Sequence, residues 1–161
     1  VWQKTPNATT FKLCATYLDY NQCPAEERHA ANHCENNADG LPGAGWRLPS
    51  ISELRSLIKG CEATYWNPET NTGGACAVTD DCLVSSCLSG ACSGCSDGEG
   101  SGEGGQYVDA ICVNSGHSRL WSSSPYEGSP GVAWSVSFSS GKVGVDYVHF
   151  VEGVRCVREE P

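Results

Sequence analysis

"GWRLPSISELRSLI", Gly45 to Ile58, decides how this chain is read, because its second half is a short helix with a defined start. Ser50 at the N-cap with Glu53 three residues on is the capping-box pattern, and Pro49 keeps the chain extended on entry. Ile51, Leu54, Leu57 and Ile58 then share one stripe at helical spacing. That predicts a surface helix docked by one face, with Ser52, Arg55 and Lys59 turned to solvent and Gly60 ending the run. Trp46 and Leu48, just ahead of the cap, read as core plugs beside the helix.

Working outward, Phe11 to Tyr20 carries β-favouring residues and predicts a strand. "CPAEERHAANHCENN", Cys23 to Asn37, predicts a helix: Pro24 suits its first turn, Glu26 and Glu27 suit its positive end, and Ala30, Ala31 and Cys34 form a narrow face for close packing. The last third is β-rich. "LWSSSPY" predicts a short strand. "VAWSVSFSSGKVGV" alternates Trp134, Val136 and Phe138 against Ser135, Ser137 and Ser139, turns at Ser140-Gly141 and returns through Val143 and Val145, a hairpin with one wet face. "VRCVRE" predicts a further strand with Cys156 in its middle. Between these parts lies an insertion, 61–112, where "CAVTDDCLVSSCLSGACSGCSDGEGSGEGG" is glycine-rich and poor in large apolar side chains. Such a segment builds no core of its own and needs cross-links or ions.

Composition narrows the function. At 161 residues, 39% hydrophobic, with 19 Gly and 8 Pro, the chain suits one loop-rich domain, 1–161. Acidic residues outnumber basic ones 19 to 10, a net charge of -9, which repels nucleic acid and anionic membrane surfaces alike. No apolar run approaches the ~20 residues of a membrane span. Eleven cysteines read as a disulfide framework from an oxidising, extracellular compartment, and the odd count leaves at least one thiol unpaired or joined to another chain. The opening "VWQKTPNATT" carries no signal peptide, so a mature or processed form, or a fragment, is expected; within it Asn7-Ala8-Thr9 is a glycosylation sequon.

Several constellations suggest chemistry, each with a plainer reading beside it. "CSGC", Cys92 to Cys95, has zinc half-site spacing but no second pair at that spacing, so structural disulfides are preferred. His29 and His33 sit four apart on the first helix, yet Ala30 stands where a metalloprotease needs glutamate, and solvent-facing histidines are preferred. No nucleophile elbow accompanies the many serines, so no catalytic activity is expected. Asp80, Asp81, Asp97 and Glu99 make the insertion acidic, and calcium is the candidate ion for such carboxylates, against a simply solvated acidic surface. Trp66 beside Tyr65, and Trp121 with Tyr126, are candidates for stacking on a ligand, against core packing.

Together, "CENNADGLPGAGWRLPSISELRSLI", "LWSSSPY", "AWSVSFSSGKV" and "VRCVR", in this order after the opening "VWQK", resemble the Lcl C-terminal-domain family. The resemblance implies an α+β, C-type-lectin-like fold: two helices packed on a small, mostly antiparallel sheet, with the chain ends close together and a long disulfide-rich loop insertion. It implies a disulfide from the first helix to the last strand, Cys34 to Cys156, and makes the Trp46–Leu48 stretch a fold signature. Members are typically secreted or surface proteins of bacteria, and the named member is an adhesin domain that binds sulfated glycans and forms trimers. The calcium-lectin motifs "EPN" and "QPD" are absent, and a charge of -9 suits a sulfated ligand poorly. The expectation is a secreted or cell-surface bacterial binding or adhesion module for a glycan or surface protein, able to form a homo-oligomer. The alternative is a structural subunit of an extracellular filament or surface assembly.

Overall fold

The computed structural model describes residues 1–3, 10–14, 23–24, 28–108 and 118–159. The fold is α+β. Its described elements run β1 (Phe11–Lys12), α1 (His29–Glu35), α2 (Ile51–Ser56), β2 (Trp66–Asn67), β3 (Thr72–Gly73), β4 (Arg119–Pro125), β5 (Val132–Ser137), β6 (Lys142–Tyr147) and β7 (Val151–Glu152). β4, β5 and β6 form an antiparallel sheet in that order; β1 pairs with β7 and β2 with β3, both antiparallel.

α2 starts as its sequence dictates. The Ser50 side chain accepts from the Glu53 N–H at 3.2 Å while the Glu53 carboxylate accepts from the Ser50 N–H at 2.8 Å, closing both halves of the capping box. Ile51, Leu54, Leu57 and Ile58 are all buried. Trp46 and Leu48 are buried too, and the guanidinium of Arg158 lies over the Trp46 ring at 5.4 Å. The opposite side of the helix departs from the periodic pattern, for Ser52 and Arg55 are also buried. The insertion folds back over that side and covers both.

β5 departs likewise. Trp134 and Val136 enter a core shared with α2 and the insertion, whereas Ala133 on the other face belongs to a second core with Cys34, Trp46, Trp121, Val148 and Val154. A central strand between two cores is buried on both faces, so Ser135 and Ser137 are enclosed and the expected wet face is absent. The insertion adds Cys76, Val78, Cys87, Cys92, Tyr107 and Val108 to the first core, more apolar burial than its composition suggests.

The terminal segment also differs from expectation. Residues 154–156 are not a strand; Val157 makes single bridges to Trp2 and Arg47. The chain ends meet there, with the Val1 amino group donating to the Arg158 carbonyl at 2.7 Å and the Gln3 N–H to the Cys156 carbonyl at 3.0 Å. α1 begins at His29, after Pro24, and β1 is two residues long; Glu26 and Glu27, and residues 15–20 of the expected strand, lie outside the described residues.

Five disulfides cross-link the fold: Cys14–Cys23, Cys34–Cys156, Cys61–Cys95, Cys76–Cys92 and Cys82–Cys87. Cys34–Cys156 is the link implied by the family resemblance. Both cysteines of "CSGC" are in disulfides, Cys92 with Cys76 and Cys95 with Cys61. The eleventh cysteine, Cys112, and Asn7 of the sequon lie outside the described residues.

Candidate functional site

The turn "WNPETNTG", Trp66 to Gly73, builds a shelf beside α2. The Asn67 Oδ1 accepts from the Glu69 N–H at 2.9 Å, and Asn71 takes a positive φ of 53°, a conformation asparagine tolerates better than most residues. β2 and β3 pair across this turn with Gly73 opposite Trp66, where any side chain would collide with the Trp66 ring and the Tyr65 backbone. Glycine therefore leaves room for the half-buried indole beside its partner strand.

Arg55 fixes the shelf from beneath. Its Nε donates to the Thr64 carbonyl at 2.8 Å, its Nη1 to Val78, and its Nη2 to Cys76 at 3.0 Å and Tyr65 at 3.5 Å. Burial pushes this guanidinium down to about 10, so at neutral pH the carbonyls surround a cation. Asp80 fastens the insertion to the start of α2: it accepts from the Ser50 hydroxyl at 2.7 Å and the Ser52 N–H at 3.2 Å, while its own N–H donates to the Ser52 hydroxyl at 2.8 Å.

Between these parts lies a pocket of about 160 Å³, lined by Trp66, Pro68, Asn71, Thr79, Asp80 and Asp81 beside Ser52. A wider cavity of about 510 Å³ shares Pro68 with it and is walled by Trp2, Tyr65, Asn67, Glu53, Glu69, Arg158 and Glu159. Pro68 lines both, and the surface on either side of it, the groove past Pro68, carries aromatic rings and carboxylates. Glu53 is already committed: desolvation pushes its carboxyl up, but hydrogen bonds from Arg47 and the Ser50 N–H, with the Arg47 charge, outweigh that and hold it below the usual carboxylate range. Glu69 and Asp81 make no ion pair among the described residues.

The structure brings together three of the residues expected to bind, Trp66, Asp80 and Asp81, and separates the rest. Trp121 is fully enclosed, its indole N–H donating to the Phe11 carbonyl at 2.9 Å, so its ring packs the core and is out of a ligand's reach. Tyr126 is half-buried edge-on against Trp134 at 5.4 Å. Asp97 and Glu99 are exposed farther along the insertion, and among the described residues no three His, Cys, Asp or Glu side chains meet as metal ligands. His33, expected to face solvent, is tucked against Phe11 at 4.4 Å with its Nε2 2.9 Å from the Asp39 carboxylate; His29 is exposed.

Trp2, Glu69 and Asn71 escaped the sequence reading, although the Asn-Pro turn signal at Asn67-Pro68 marks the shelf. A second surface was also missed: Tyr147, Phe150 and Val151 are exposed at the β6–β7 turn, and the Tyr147, His149 and Phe150 rings gather with centroids 4.7–5.6 Å apart.

A family model described as Lcl C-terminal domain matches residues 1–158. No curated protein and no solved structure matches the chain.

Proposed function

The chain belongs to the Lcl C-terminal domain family, and from that premise we propose that it is a secreted or surface-displayed binding module that holds a glycan or protein partner in the groove past Pro68 and performs no chemistry. The observation that carries this reading is a pre-organised groove: half-buried aromatic rings and uncommitted carboxylates stand on a shelf fixed by Arg55, by Asp80 and by the three disulfides of the insertion. A rigid surface orders little on binding and so loses little affinity to entropy. Five disulfides suit an oxidising compartment, and no described helix is long and apolar enough to cross a membrane.

A lectin-like arrangement accounts for the two helices, the joined chain ends and the Cys34–Cys156 link; the groove would then lie on the variable loop side, where such a scaffold presents its recognition surface. Screening the non-reduced protein on glycan and surface-protein arrays tests the reading. A ligand lost on Asp81→Ala or Glu69→Ala at unchanged melting temperature supports it. Ligands indifferent to both substitutions, and to Trp66→Phe, would move the site elsewhere.

A second reading, a subunit of an extracellular assembly, is favoured by the exposed Tyr147, Phe150 and Val151, since apolar clusters of this kind mark contact surfaces. Concentration-dependent association abolished by Phe150→Ser would support it.

A further inference from the structure

We propose that a small cavity at Gly144 binds a carboxylate on a short aliphatic stem, a free organic acid or the end of a peptide chain. Lys142, Arg119 and Ser135 would hold the carboxylate, and Leu88 would cover the stem. The site shares no residue with the groove past Pro68 and does not depend on it. The cavity, about 210 Å³, is lined from all three strands of the sheet, by Arg119 of β4, Ser135 of β5 and residues 142–145 of β6, with Leu88 of the insertion beside them. The register pairs Ser135 with Gly144 and sets Ser137 between Arg119 and Lys142, so strand alternation brings Arg119, Ser135, Lys142 and Gly144 to one face. Gly144 leaves the space open. Its φ is outside the left-handed region, and a Cβ there would meet nothing nearer than the Lys142 Cε at 3.6 Å.

Ser135 is the residue that points to a ligand. It is 2% exposed, and the other buried serines, Ser52, Ser122, Ser124 and Ser137, each have a hydrogen-bond partner. The Ser135 hydroxyl has none among the described residues, and it lines the cavity. Buried hydroxyls are ordinarily satisfied, so an acceptor inside the cavity would complete this one. The charges set what kind of acceptor. Arg119 gives Nη1 to Asp146, which balances its charge, while Lys142 makes no ion pair or hydrogen bond among the described residues. One positive charge is left over, which matches a monoanion, and no carboxylate of the protein lines the cavity. The ammonium, the hydroxyl and the remaining guanidinium N–H groups are donors on one side. Leu88, exposed although apolar, lies with Val143 and Val145 among the lining residues, and this apolar share suits an aliphatic stem better than sulfate or phosphate, which call for polar contacts all round.

The test is titration of the isotope-labelled, non-reduced protein, followed by its amide resonances, with isovalerate, isovaleramide, an N-acetylated leucine dipeptide, the C-terminal amide of that dipeptide, and sulfate. Saturable shifts at Ser135 and Gly144 are expected with the two carboxylates and not with the two amides, weakening as salt is raised. Lys142→Gln and Ser135→Ala are each expected to lose about tenfold in affinity at an unchanged melting temperature. Gly144→Val suits a strand backbone and is expected to abolish binding by filling the space. Tighter binding of the dipeptide than of isovalerate supports the proposal with a chain end as the source of the carboxylate, and equal binding supports it with a free acid. Amides that bind as well as the acids would overturn the carboxylate, and sulfate binding more tightly than isovalerate would overturn the stem. Affinity undiminished in Gly144→Val would overturn the cavity as the site. No shift with any probe would leave the cavity to water and overturn the inference.

Discussion

Arg55 lies with its Cζ 5.3 Å from the centre of the Trp66 ring, between the helix that carries it and the shelf that carries the indole. The same guanidinium donates to carbonyls of Thr64, Tyr65, Cys76 and Val78. One side chain therefore holds four separate points of the shelf and insertion.

Replacing Arg55 by Met leaves those carbonyls without their donor. The expected cost is about 3 kcal/mol or more, read as a shift in the denaturant midpoint. Arg55→Lys is expected to recover little of it, because a single ammonium cannot span the fork of partners that a planar guanidinium reaches. A midpoint unchanged in Arg55→Met would show that water satisfies the carbonyls.

Cys34 and Cys156 close a loop of sequence separation 122. In the chain-entropy account, removing a link of that span by Cys34→Ala/Cys156→Ala costs about 4–5 kcal/mol, and thermal melting of the double variant measures it. A loss below about 1 kcal/mol would mean that residual structure already restricts the unfolded chain without the bridge.

Trp46 fills the second core under Arg158. Trp46→Ala is expected to cost about 3–5 kcal/mol by leaving a cavity, and Trp46→Phe substantially less. Equal midpoints for wild type and Trp46→Ala would place the ring outside the cooperative core.

Glu53 carries a pH signature. Its folded-state carboxyl sits below the usual range, with Arg47 2.8 Å away, so its stabilising contribution is present above the unfolded value of about 4.3 and is lost as pH falls through the lower folded value. The melting temperature of the wild type is expected to drop below about pH 4, and that of Glu53→Gln to be lower at neutral pH but to fall less over the same interval. Parallel pH curves for the two proteins would rule the carboxylate out as the source.

What could be read in the sequence was what local chemistry decides. The capping box at Ser50 and Glu53, the buried stripe from Ile51 to Ile58, the hairpin turn at Ser140-Gly141 and the cross-linked character of the insertion all follow from neighbours close in the chain. Arg55, Ser52 and Ser135 were misplaced because periodicity knows one buried face, while distant segments here cover the other: the insertion over α2, and the second core behind β5. Trp66 and Trp121 carry the same local signals. Their different fates come from long-range packing, one beside a turn that glycine keeps open, the other between α1 and the sheet. The acidity of Asp80 was visible, but its partners, Ser50 and Ser52, lie 30 and 28 residues away.

The meeting of the chain ends has a mechanical side. Tension applied between the two ends runs along the chain to Cys34, crosses the sulfur bridge to Cys156 and leaves by the last few residues. Everything from Glu35 to Arg155 hangs outside that path, including β4 to β6, α2 and the Trp66 shelf with its smaller pocket, whereas Trp2, Arg158 and Glu159, which wall the wider cavity, lie on it. A pull on the ends would first part the contacts among Val1, Gln3, Cys156 and Arg158 and open the wider cavity, while the Trp66 shelf would keep its shape until a covalent bond failed or was reduced.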